Sequence, residues 1–212
     1  MSAVLAALLL AASVRGTVTI TGKKSEALDP SRAVVWLEGS TALPAAPVKG
    51  VMTTRSKTFT PEVLVLPAGS QVAFPNEDSI QHNAFSSSEG NRFDVGLYGP
   101  GPGKDVVMRA PGVVRIYCNV HPQMAAFVIV TPTSLAARVK PDGSFEITGV
   151  PAGAYELKAW DERGGTSSVP VEVKPDGQPA VSVTLDGSRF KQRPHLDKEG
   201  RSYEERGTPD YP

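Results

Sequence analysis

A single cysteine, Cys118, and three histidines, His82, His121 and His195, stand in a chain of 212 residues. One thiol excludes an internal disulfide framework and any structural zinc site built from several cysteines. Charge of one sign is also missing, because 22 basic and 22 acidic side chains cancel. That balance argues against a nucleic-acid partner, which needs a basic face. No apolar run reaches the roughly 20 residues of a bilayer span, so no membrane span is expected. Amphipathic helical periodicity is absent as well. Glycine and proline are abundant instead, at 20 and 19, which favours many turns and short strands.

The longest apolar run, residues 3–12 (AVLAALLLAA), has the length of a signal-peptide core and is followed by small residues. A basic segment does not precede it. Residues 1–15 are expected to be an export leader, which places the protein in the periplasm or outside the cell. The competing reading is a hydrophobic first strand or short helix of the fold.

Beyond residue 15 the pattern is strand-like almost throughout. Thr17–Thr21 is rich in β-branched residues, and Ala33–Leu37 is a short apolar run bounded by Pro30 and Gly39. Further strands are expected near Val48–Thr53, Val63–Leu66, Gln71–Phe74, Val106–Met108, Val113–Tyr117 and Phe127–Thr131. Pro111-Gly112 reads as a hairpin signal between two of them. From Phe145 to Leu185 apolar residues alternate at period two, as in a small antiparallel β-sandwich. The expected class is all-β. Residues 191–212 carry charge of both signs and almost no aliphatic side chains. Such a segment buries too little apolar area to offset its ordering entropy, so a disordered tail with a solvated His195 is expected.

Chemistry concentrates in Tyr117-Cys118-Asn119-Val120-His121-Pro122-Gln123-Met124. A thiol, an imidazole and a thioether recur at intervals of three between two strands. On one tight loop they can converge on a metal, and sulfur donors favour copper over magnesium or calcium. A trigonal copper site needs a second histidine, and His82 is the only other one outside the tail. Taken singly, each residue has a plainer reading: a buried small hydrophobe for Cys118, core for Met124, a hydrogen-bonded histidine for His82. A catalytic Cys–His pair is a further reading, but no motif for an oxyanion hole or an orienting third group is visible.

Residues 48–131 resemble a cupredoxin, the Greek-key β-sandwich of plastocyanin and amicyanin. The matching features are Phe59-Thr60-Pro61, Pro67-Ala68-Gly69-Ser70, Phe74-Pro75-Asn76, His82-Asn83, Pro111-Gly112 and the run ending in Cys118, His121 and Met124. The short C-x-x-H-x-x-M loop, with Pro122 after the histidine, has the amicyanin spacing. The resemblance implies one type 1 copper ion with His82, Cys118 and His121 as equatorial ligands and Met124 as the weak axial one. It implies that Asn83 ties the two ligand loops together near the cysteine sulfur. It also implies that electrons pass through the edge of His121, with Pro122, Leu97, Tyr98 and Pro100 on the rim. Amicyanin-like loops often have proline where this chain has Val120. The N–H that Val120 retains is expected to donate to the Cys118 sulfur and raise the reduction potential.

Asp142-Gly143-Ser144-Phe145-Glu146-Ile147 through Val150-Pro151-Ala152-Gly153-Ala154-Tyr155-Glu156-Leu157 resembles a carboxypeptidase regulatory-like domain, a small transthyretin-like β-sandwich that is usually noncatalytic. Its Asp-Gly is expected to make a tight hairpin. Residues 16–37 resemble the first hairpin of the same module. The expected arrangement is therefore a cupredoxin domain over 48–131 inserted into a discontinuous module of residues 16–46 and 132–190. The simpler alternative makes the N-terminal strands an extension of the cupredoxin. Chains combining the two modules resemble methylamine-utilisation-like proteins. The expected function is a blue copper protein, not an enzyme, carrying single electrons between periplasmic redox protein partners. The alternatives are a copper carrier or store, and a noncatalytic cell-surface binding module.

Overall fold

A computed structural model describes residues 12–39, 45–174, 180–192 and 194–203. In chain order its strands are β1 (Ala12–Thr21), β2 (Ala27–Leu28), β3 (Val34–Glu38), β4 (Lys49–Val51), β5 (Thr53–Arg55), β6 (Thr58–Thr60), β7 (Val63–Pro67), β8 (Gln71–Ala73) and β9 (Phe85–Ser86). They continue with β10 (Phe93–Asp94), β11 (Asp105–Val107), β12 (Gly112–Tyr117), β13 (Ala125–Thr131), β14 (Ala136–Arg138), β15 (Ser144–Val150), β16 (Gly153–Asp161), β17 (Gly165–Val173) and β18 (Val181–Asp186). A 3-10 turn covers Lys23–Ser25. The protein is all-β. Among the described residues no helix is long and apolar enough to cross a membrane.

The strands fall into two compact units. The first holds β1–β3 and β14–β18. One of its sheets runs β15-β1-β18 with β2 added on β1, and the other runs β14-β3-β16-β17. Period-two alternation turns Val14, Val18 and Ile20 of β1, Val35 and Leu37 of β3, and Tyr155, Leu157 and Ala159 of β16 into one buried core. The expected leader runs into this fold. Ala12–Arg15 belong to β1, Val14 is fully buried, and Arg15 pairs with Glu146 across the ladder to β15. Residues 1–11 lie outside the described residues.

The second unit takes in Ala45–Ser134 and the chain from Lys191 onward. Its largest sheet runs β10-β9-β12-β13-β7, with β13 and β7 parallel. A second sheet runs β11-β8-β4, and β5 and β6 form a separate hairpin. Phe59, Leu66, Val72, Phe74, Val114, Ile116, Ala126, Val128 and Val130 fill the core, together with Met52 and Met108.

Two expected hairpins are turns between sheets instead. Pro111-Gly112 joins β11, which pairs with β8, to β12, which pairs with β13. Asp142-Gly143 forms a tight turn, with Gly143 at φ +84° and its N–H donating to Lys140 O, but β14 and β15 enter different sheets. Turn chemistry fixes a reversal of the chain; it does not choose the pairing partner.

The expected tail also differs. Residues 194–203 make specific contacts within the second unit, and Asp197 is buried. Asp197 accepts the N–H groups of Glu199 and Arg201 and pairs with the Arg201 guanidinium. Gly200 supplies the left-handed conformation at φ +82°. His195 stacks on Tyr117 rather than facing solvent. Aromatic rings and an Asp-centred turn supply the ordering that aliphatic side chains do not. Residues 204–212 lie outside the described residues.

Candidate metal centre

Strand alternation carries two site residues inward. In β12, Val114 and Ile116 face the core, and Cys118 continues that face one step past the strand. In β13, Ala126, Val128 and Val130 face the same core, and Met124 precedes them on it. The Cys118 N–H donates to Met124 O at 3.3 Å, and the Met124 N–H donates to His121 O at 3.0 Å. The five residues between Cys118 and Met124 are thus a closed turn with His121 near its apex. His82 arrives on another segment, held beside Tyr98 by paired backbone bonds of 3.0 and 2.9 Å.

These elements bring His82, Cys118 and His121 together, with one donor atom of each within 4.8 Å of the others. Cys118 Sγ lies 3.9 Å from His82 Nδ1 and 3.7 Å from His121 Nδ1. The two imidazole rings are 4.7 Å apart between centroids. A first-row ion bound at about 2.0–2.3 Å to three donors in a plane needs donor separations of about 3.5–4 Å. The two sulfur–nitrogen separations match that requirement. Cys118 and His82 are fully buried, and Met124 is 1% exposed. One thiol and two imidazoles converge in a donor set that suits copper, and Met124 buries a thioether at the foot of the same loop.

Hydrogen bonds fix the donors. The Val120 N–H donates to Cys118 Sγ at 3.4 Å. Asn83 spans the two segments: its Oδ1 accepts the Asn119 N–H at 3.2 Å, while its Nδ2 donates to Asp94 Oδ1 at 2.7 Å and Gly96 O at 3.0 Å. Burial pushes the Cys118 thiol up, against the opposing pull of the N–H groups of Asn83, Val120 and His121. Burial likewise holds both imidazoles below the usual histidine range, and for His121 the neighbouring His82 and Lys57 add to the effect.

Sequence reasoning missed Asp78. Its Oδ2 lies 2.8 Å from His82 Nε2. The turn of the β5–β6 hairpin, Ser56 and Lys57, adopts φ of +51° and +55° and donates both N–H groups to the same carboxylate, at 2.6 and 2.9 Å. Burial acts to raise Asp78, but the Lys57 and Ser56 amides and His82 outweigh it and hold the carboxyl below its ordinary value. An ionised Asp78 accepts, so His82 Nε2 carries the proton and Nδ1 keeps its lone pair toward the sulfur. The available signal is a carboxylate four residues before the histidine. Of the expected rim, Pro122, Leu97 and Pro100 are exposed, whereas Tyr98 is buried.

No family profile matches the sequence, and no curated protein matches it. Solved structures similar in fold include a purple cupredoxin from Nitrosopumilus maritimus, 23% identical over 39% of this chain and 99% of that one, with a TM-score of 0.35. Amicyanin from Paracoccus versutus is 17% identical over 45% of this chain and 97% of its own, with a TM-score of 0.35. A copper-containing nitrite reductase from Thermus scotoductus is 27% identical over 44% of this chain but only 24% of its own, with a TM-score of 0.37.

Proposed function

We propose that the second unit is a type 1 copper domain of cupredoxin kind that carries single electrons between redox proteins. The observation that supports this most is the convergence of Cys118 Sγ with the Nδ1 atoms of His82 and His121 at separations suited to one small ion. A bound copper supplies one-electron redox chemistry. Cys118, His82 and His121 would hold it, with Met124 as a further donor.

The chain's own residues do the rest. Asp78 holds His82 in the tautomer that offers Nδ1. Asn83 and the Asn119 amide lock the histidine segment to the cysteine loop. The Val120 N–H withdraws charge from the sulfur, which favours the reduced ion and raises the potential. Burial of Cys118 and His82 keeps water from the donors, while the half-buried His121 offers an edge toward a partner, beside exposed Pro122 and Leu97. Four protein donors leave no evident position for a substrate. A reactive cysteine is open to solvent; Cys118 is fully buried. Both points favour a carrier over an enzyme.

The first unit, by its sequence resemblance to a regulatory-like module, is proposed as a noncatalytic module whose chain is interrupted by the copper domain. Residues 1–11 are proposed to belong to an export leader, consistent with a periplasmic or secreted site of action.

A redox titration of the copper-loaded protein tests the carrier reading. A reversible one-electron couple is expected. Weakly held, readily exchanged Cu(I) without such a couple would instead make the protein a copper carrier or store.

A further inference from the structure

Residues 194–203 grip the segment that carries Cys118. The Tyr203 hydroxyl donates to Cys118 O at 2.7 Å. The His195 ring stacks on Tyr117 at 4.2 Å between centroids and 15° between planes, and Tyr203 meets it edge-on at 5.2 Å. The Lys198 N–H donates to Asn119 Oδ1 at 3.0 Å. The Lys198 ammonium pairs at 2.7 Å with Asp94, whose other oxygen accepts from Asn83. Three consecutive residues, Tyr117, Cys118 and Asn119, are therefore each held by a different residue of this segment. Lys198 also reaches the Asn83 bracket through Asp94. The buried Asp197 and its Glu199 and Arg201 amide bonds make the segment a compact turn rather than a loose strand end.

From this geometry we propose that residues 194–203 are a strap belonging to the metal centre, with Tyr203 as a positioning residue that acts on the Cys118 loop through its carbonyl. The proposal rests on the copper reading for its functional meaning. Cys118 lies just past the end of β12, where the β12–β13 ladder gives way to a loop. The ladder holds the loop at its base through Cys118 N–H and Met124 O, and the Asn83 bracket holds Asn119. The Cys118 carbonyl is the remaining handle on the cysteine backbone, and Tyr203 takes it. A strapped loop keeps the thiolate in place as copper changes oxidation state, and it resists the opening through which copper leaves.

The full-length protein is compared with Tyr203→Phe, which keeps the ring and loses the hydroxyl, and with Leu196→Ser, a control whose side chain is 52% exposed. Two readouts are taken. In the copper-free protein, amide hydrogen exchange at Asn119 and Val120 should quicken about three- to tenfold in Tyr203→Phe, the range for losing one hydrogen bond, with amides of β16 unchanged. In the copper-loaded protein, loss of copper to a chelator should quicken by a similar factor, and the thiolate-to-copper band should shift. Leu196→Ser should match the wild type in both. Wild-type exchange and copper loss in Tyr203→Phe, or an equal effect from Leu196→Ser, would overturn the strap. If Tyr203→Phe loses protection in β16 as well, His195→Leu removes the stack on Tyr117 and is read in the same way. A wild-type protein that takes up no copper defeats the copper reading; the exchange data alone then decide the strap.

Discussion

Among the described residues of the unit built on β1–β3 and β14–β18, Asp161 is the one buried polar side chain, and it pairs with Arg163. The second unit buries Asn76, His82, Asn83, Asn91, Asn119 and Asp197, among others, and mixes three methionines and the cysteine into its core. Burying a polar group is costly unless each is partnered, so a unit that buries many of them is built around something other than stability. In the first unit the interior is aliphatic and aromatic and its purpose is packing. In the second, Asn83 and Asn119 tie the histidine segment to the cysteine loop, while Asn76, Asn91 and Asp197 fix the backbone turns around them.

This contrast sets an order of expected effects. Cys118→Ala should abolish any intense visible band on addition of Cu(II) while leaving the copper-free fold intact, because alanine fits a core position occupied by a small side chain; absorption spectroscopy and thermal unfolding check the two halves. Leu157→Ala in the first unit should do the reverse. It should cost about 2–5 kcal/mol of stability, read by denaturant unfolding, without altering the copper spectrum of the folded fraction. If it changes that spectrum, the two units do not divide packing from chemistry.

Asp78→Asn is the next in size. It keeps the shape but removes the charge facing His82 Nε2, and an amide can present its nitrogen there and disturb the tautomer. Copper affinity should fall about 10- to 100-fold, measured by competition with a chelator, and the potential should rise.

The pH dependence has a definite sign. Burial holds the folded imidazoles of His82 and His121 below their unfolded value, so the unfolded chain binds more protons as pH drops through the ordinary histidine range. The copper-free protein should lose stability as pH falls through that range and regain it above. Copper binding should weaken in the same direction, since protons compete for the same nitrogens. Denaturant midpoints across that range, with and without copper, give both slopes.

Val120→Pro carries the smallest effect. It deletes the N–H at 3.4 Å from Cys118 Sγ, and the potential should fall. An unchanged or higher potential would remove Val120 from the account.

How much of this could be read from the sequence follows from the range of each interaction. Cys118, His121 and Met124 share one seven-residue stretch, so their spacing is visible, and the scarcity of histidine singles out His82. The all-β class is visible because strand alternation is local. Pairing partners are not local. Pro111-Gly112 and Asp142-Gly143 are true turns whose flanking strands diverge into different sheets. Asp78 was hidden because a carboxylate four residues from a histidine means little without the hairpin turn at Ser56 and Lys57 that orients it. The strap was hidden because a count of aliphatic residues overlooks what two aromatic rings and one buried carboxylate can hold. Val14 was absorbed into an expected leader because a strand start and a leader end share small and apolar residues.

The most direct test of the central claim is the visible and EPR spectrum of the purified protein after addition of Cu(II). An intense blue band with a narrow copper hyperfine splitting is expected, the mark of a thiolate-bound ion. A pale, tetragonal spectrum, or no binding, would contradict it, because Cys118 would then not be a ligand in the folded protein.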